Sequence, residues 1–103
     1  MSKFSFYPDE DNLGVSFHGD LDIDSTEIVE EEIIPTMEKY KHVKINFVDV
    51  PFVDSSGMGL LLNIVRTLNE KGTKVTIANV RDEVMEIFEL LQIPSILGEE
   101  IFI

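Results

Sequence analysis

The chain has 103 residues, enough for one ordinary domain with its own core. Eight lysines and arginines stand against twenty acids, a formal net charge of −12; such a surface repels phosphate backbones and anionic lipid heads, which argues against direct nucleic-acid or membrane binding and in favour of basic protein partners. Cysteine is absent, which excludes a disulfide framework, a thiolate zinc site and a cysteine nucleophile.

Hydrophobic residues make up 44% and charged residues 27%, a globular composition. No apolar run reaches the ~18 residues of a membrane span. The opening MSKFSFYPDEDN has no apolar signal-peptide core. With the lack of cysteine, these features give the expectation of a single cytoplasmic domain over residues 1–103.

Lys3 to Tyr7 alternates, with Phe4 and Phe6 on one side, and Pro8-Asp9-Glu10-Asp11-Asn12 is turn chemistry. From Leu13 the alternation continues through Val15, Phe17, Gly19, Leu21 and Ile23, so the two segments predict a strand hairpin. Asp24-Ser25-Thr26-Glu27 reads as a capping box with Asp24 as N-cap. Val29, Ile33, Met37 and Tyr40 follow at helical spacing, and Pro35 predicts a kink or split in that helix. Val43 to Val50 is apolar and β-branched, as a central strand requires. Ser56 to Glu70 reads as a helix closed by Lys71 and Gly72, Lys74 to Val80 as a strand and Asp82 to Leu91 as a helix. A short apolar tail carries Ile96, Leu97, Ile101, Phe102 and Ile103. The order β-β-α-β-α-β-α predicts an α/β domain: a mostly parallel sheet with an antiparallel edge hairpin, packed with helices.

The stretch from Asp49 to Leu62 carries the functional reading. A buried strand ends, a short loop follows and a helix begins, at the sheet end where open α/β domains place their sites. Asp54, Ser55 and Ser56 can each cap the free N–H groups of that helix start. Gly57 and Gly59 cost about 1 kcal/mol each relative to alanine in a helix, so something must favour them, and close approach of another backbone or of a partner is one candidate. Read from the residues alone, Asp-Ser-Ser is an N-cap and the glycines pack against the neighbouring strand.

Two motifs add to this. Gly19-Asp20-Leu21-Asp22 resembles the G-x-L-D element after the second strand of the STAS domain family, and Val53-Asp54-Ser55-Ser56-Gly57-Met58-Gly59 resembles that family's D-S-S-G-L-G loop and helix start. The strand–helix order matches over essentially the whole chain, and a free-standing domain with this loop is similar to the bacterial anti-sigma factor antagonists. The resemblance implies a non-enzymatic protein ligand. Its unmodified form binds an anti-sigma factor that is also a serine kinase, and so frees a sigma factor. Phosphorylation at Ser56 blocks binding, and a serine phosphatase reverses it. Asp22, Asp54, Ser55 and Gly57 are then partner-binding positions, and Met58 is expected as an exposed apolar contact. No cofactor is implied. The other roles of the family, a regulatory subunit of a transporter or part of a stress-signalling scaffold, are the alternative.

Competing chemistries fit the residues less well. Asp20, Asp22, Asp24 and Glu31 imitate the spacing of an EF-hand loop, but Ser25 stands where that loop needs glycine, and Leu21 and Ile23 alternate with the acids as in a strand. Glu30-Glu31-Glu32 reads as a solvated face or as a docking surface for a basic partner. A serine hydrolase elbow needs glycine two residues before its nucleophile, where Ser56 has Asp54 and Ser55 has Val53. Only His18 and His42 are available as a base, and Gly57 and Gly59 lack the G-K-[ST] of a phosphate-binding loop.

Overall fold

The computed structural model describes residues 3–103, so residues 1 and 2 of the expected domain lie outside the described residues. Strands β1 (Lys3–Asp9), β2 (Asn12–His18), β3 (His42–Asp49) and β4 (Lys74–Ala78) form one sheet in the order β1-β2-β3-β4. β1 pairs antiparallel with β2 across the turn at Glu10 and Asp11, while β2, β3 and β4 run parallel. This is the expected α/β arrangement with its antiparallel edge hairpin.

Right-handed crossovers that step always in one direction put their helices on one face of a sheet. The strand patterns agree. Leu13, Val15 and Phe17 of β2, Val43, Ile45 and Phe47 of β3, and Val75 and Ile77 of β4 are buried in a common core with Val29, Ile33, Met37, Leu61, Ile64, Leu68 and Phe88. The alternate residues Ser16, His18, Lys44, Asn46 and Thr76 are partly or fully exposed. Five phenylalanines form a chain of ring contacts through the core, Phe4–Phe17–Phe47–Phe88–Phe102, with centroids 4.8, 5.5, 6.2 and 6.0 Å apart. Each such pair contributes about 0.5–1.5 kcal/mol beyond its buried area.

The second strand is shorter than its alternation predicts. Gly19, at φ +91°, breaks it after His18. Leu21 rejoins only as a single parallel bridge to Val53, and Ile23 falls in a 3-10 turn (Ile23–Ser25). Asp22, not Asp24, caps that turn: its carboxylate accepts the Asp24 N–H at 3.1 Å. The helical stretch then continues as α1 (Thr26–Ile28), a π-helical turn (Val29–Ile33) and α2 (Ile34–Met37). Pro35 has no N–H to donate and its ring crowds the carbonyl four residues back. The wider turn relieves that conflict, so the helix changes its hydrogen-bond pattern rather than stopping.

Helix α3 (Ser55–Glu70) starts one residue earlier than predicted and ends as predicted, with Lys71 as C-cap and Gly72 at φ +84°. α4 (Asp82–Leu90) is followed by a short α5 (Ile93–Leu97), entered through Gln92 at φ +60°. The apolar tail is structured: Phe102 bridges to Ile77, and the Ile103 N–H donates to the Ile77 carbonyl at 2.9 Å, so the chain end runs along the outer edge of β4.

Candidate functional site

The segments 19–24 and 49–58 lie side by side beyond the carboxyl ends of β2 and β3. Backbone hydrogen bonds fasten them: Gly19 N–H to the Asp49 carbonyl at 2.9 Å, Leu21 N–H to the Phe52 carbonyl at 3.1 Å, and Asp54 N–H to the Leu21 carbonyl at 3.4 Å. Asp54 has extended backbone geometry and caps α3, its Oδ1 accepting the Gly57 N–H at 2.8 Å. Ser55 and Ser56 are the first and second residues of the helix, and both are exposed. Their side chains therefore stand where unpaired N–H groups and the positive end of the helix dipole favour an anion.

The sequence-predicted residues divide into two groups. Ser55 and Ser56 face solvent, with the half-buried caps Asp22 and Asp54 beside them. Gly57 is buried: a Cβ there runs into the backbone carbonyl of Leu21 and meets Val53 Cγ1 at 3.0 Å, so this glycine serves packing. Met58 is only 6% exposed, which corrects the expectation that it is an exposed contact. Its position shares a helix face with Leu61 and Val65, both in the core, and the helix turns that face inward.

The exposed apolar surface is supplied instead by Ile23, 67% exposed, and Phe52, 48% exposed. The turn holding Ile23 packs against α3. Ile23 also lines a hollow of about 550 Å³ with Asp24, Thr26, Glu27, Glu30 and Glu31. The signal for Phe52 was its place in a Pro-containing loop rather than in a strand. Ile23 carried no such signal, because its alternation with Leu21 mimicked strand burial.

The histidines serve other surfaces. His18 Nδ1 lies 2.9 Å from Asp49 Oδ2 and His18 Nε2 lies 3.1 Å from Ser5 Oγ, a chain that ties β1, β2 and β3 together on the uncovered face of the sheet. His42 lines a separate hollow on that face. Among the described residues, Asp20, Asp22, Asp24 and Glu31 do not converge into a group able to hold a metal ion, and no helix is long and apolar enough to cross a membrane.

The anti-sigma-B factor antagonist of Bacillus subtilis (strain 168) is 22% identical over 88 residues, covering 85% of this chain and 81% of that protein. The solved structure of the anti-sigma factor antagonist SpoIIAA in its unphosphorylated form superposes with a TM-score of 0.76 at 23% identity, covering 98% of this chain and 86% of the other. Bacillus SpoIIAA in its phosphorylated form superposes with a TM-score of 0.73 at 23% identity, covering 98% and 89%. These structural likenesses establish the fold. The family model described as the STAS domain matches residues 5–102, and the chain belongs to that family.

Proposed function

We propose that this protein is an anti-sigma factor antagonist controlled by phosphorylation at Ser56. In this reading the unmodified form binds an anti-sigma factor that is also a serine kinase and releases a sigma factor. The kinase phosphorylates Ser56, binding is lost, and a serine phosphatase restores it. The chain is a ligand and a kinase substrate, working in the cytoplasm. The observation that carries the reading is the exposure of Ser56 at the second position of a capped helix, beside the exposed apolar Ile23 and Phe52.

The physics of the switch is local. A serine phosphate brings about −1.5 to −2 charges, and at a helix N-terminus it meets N–H donors, so the fold has no reason to open. It adds to a surface already at −12. The added charge stands beside Asp54; two unit charges about 4 Å apart interact by about 4 kcal/mol at an effective dielectric of ~20, equivalent to about three decades of affinity before salt screening. The bulk of the phosphate blocks contact at the same point.

Incubation with a candidate serine-kinase anti-sigma factor and ATP, followed by mass mapping and a binding titration, tests the proposal. The expected result is one phosphate on Ser56 and loss of binding. Unchanged affinity after complete modification at Ser56, or modification confined to another residue, would sink it.

A further inference from the structure

The sheet face left uncovered by the helices holds three side chains whose hydrogen bonds have a direction. Ser5 of β1 and His18 of β2 stand diagonally across that strand pair, since Ser5 is in register with Ser16 and His18 with Lys3. Diagonal neighbours lie about 7–8 Å apart, within reach of a long side chain. The His18 ring closes the gap, its Nε2 3.1 Å from Ser5 Oγ. Its other nitrogen, Nδ1, lies 2.9 Å from Oδ2 of Asp49 at the end of β3.

An ionised carboxylate only accepts, so Nδ1 carries a proton. In the neutral ring Nε2 is then the acceptor, and the Ser5 hydroxyl must donate to it. A hydroxyl proton is thus aimed at a base whose tautomer is held by a third group, which is the arrangement of an activated nucleophile. The His18 and Asp49 side chains are 36% and 55% exposed, so the chain of bonds adds little to stability and the base is open to solvent. No sequence motif marks the three residues, because each comes from a different strand.

The surroundings narrow the substrate. Lys3 and Tyr7 flank Ser5 along β1 on the same face, about 6–7 Å to either side. Tyr7 leans over Gly14, where an added Cβ meets its Cβ at 3.6 Å and its Cδ2 at 3.9 Å. An aromatic ring therefore stands on one side of the hydroxyl, and on the other an ammonium suited to developing negative charge. The open face admits a small molecule, and the net charge of −12 repels anionic acyl donors. A neutral ester with an aromatic leaving group, stacked on Tyr7, meets each of these conditions.

We propose that Ser5 is a nucleophile for acyl transfer from small neutral aryl esters, with His18 as its general base and Asp49 as the positioning residue. Ser5 Oγ bonds to the ester carbonyl carbon while His18 Nε2 takes the hydroxyl proton. The bond from that carbon to the aryl oxygen then breaks, and the aryloxide leaves with the electron pair and takes up the proton from His18. In the second half a water attacks the acyl-Ser5 ester and passes a proton to His18. The carboxylic acid departs as Ser5 Oγ recovers that proton.

Para-nitrophenyl acetate added to the full chain tests this, read by nitrophenolate release and by peptide mass mapping after an acid quench. The expected result is acetyl on Ser5, and Ser5→Ala removes it. His18→Ala should slow acylation by about a hundredfold, within the usual share of a general base. Added imidazole should restore part of that rate, which a purely structural role would not allow. Asp49→Asn should slow acylation too and move the ring proton of His18 from Nδ1 toward Nε2, read from the imidazole nitrogen chemical shifts. Three results overturn the proposal: acetyl spread over the lysines, Ser16, Ser55 or Ser56 with no preference for Ser5; acylation of Ser5 at the parent rate in His18→Ala; or ring shifts that place the proton of neutral His18 on Nε2 in the parent. The first and third need only the parent protein, so they decide the matter even where a variant fails to fold.

Discussion

The α-carbon of Gly57 sits directly against the carbonyl of Leu21, closer than any side chain allows. That contact joins the start of α3 to the segment after β2, and the Leu21–Val53 bridge lies beside it. Both serines are presented by this joint. Their exposure is therefore a consequence of a packing constraint one residue further along the helix.

Replacing Gly57 by alanine should destabilise the domain by about 1–3 kcal/mol, because the new methyl meets backbone rather than a flexible side chain. Gly59, two residues on, is exposed and has nothing within 4 Å of its would-be Cβ. Gly59→Ala should stabilise by up to about 1 kcal/mol through helix propensity. Thermal unfolding of the two variants checks the contrast: opposite signs are expected, and a stabilising Gly57→Ala refutes the contact.

Asp54→Ala removes the side chain that accepts the Gly57 N–H. A loss of about 0.5–2 kcal/mol is expected from denaturant unfolding, with Asp54→Asn retaining most of the cap. Amide exchange in the first turn of α3 should rise in the alanine variant alone.

Ser56→Asp should weaken binding to the anti-sigma partner, while Ser56→Ala should bind like the parent and resist inactivation by kinase and ATP. Both should unfold within about 0.5 kcal/mol of the parent, since the position is exposed. A titration against the partner, run beside a melting curve, separates a blocked surface from a damaged fold.

Ile23→Ala and Phe52→Ala test the surface that sequence reading missed. Both side chains are exposed, so stability should change little while partner affinity falls by about tenfold, the effect of losing a 1–2 kcal/mol apolar anchor. Met58→Ala should do the reverse, costing about 2–5 kcal/mol of stability because its side chain fills the core. Calorimetric binding and chemical unfolding of the same three variants distinguish the roles. Lost affinity in Met58→Ala at full stability would return that residue to the surface.

Periodicity by itself determined the strand and helix order, the parallel sheet and most of the core, because a half-buried strand or helix must repeat its apolar residues at the period of its geometry. Lys71 and Gly72 fixed the end of α3 for the same local reason. Several features are not local. Alternation carried the second strand on to Ile23, but Gly19 at positive φ ends it after His18 and leaves Ile23 exposed. The cap belongs to Asp22 rather than Asp24 because the turn begins two residues earlier. Met58 looked available for contact until the rotation of α3 against the sheet set which of its faces is inward. Gly57 was visible as an anomaly in a helix, but only the approach of Leu21, 36 positions away in the sequence, says what the anomaly is for. Local chemistry is written in neighbouring residues; exposure depends on which distant segment arrives to cover them, and only the folded chain brings that segment into place.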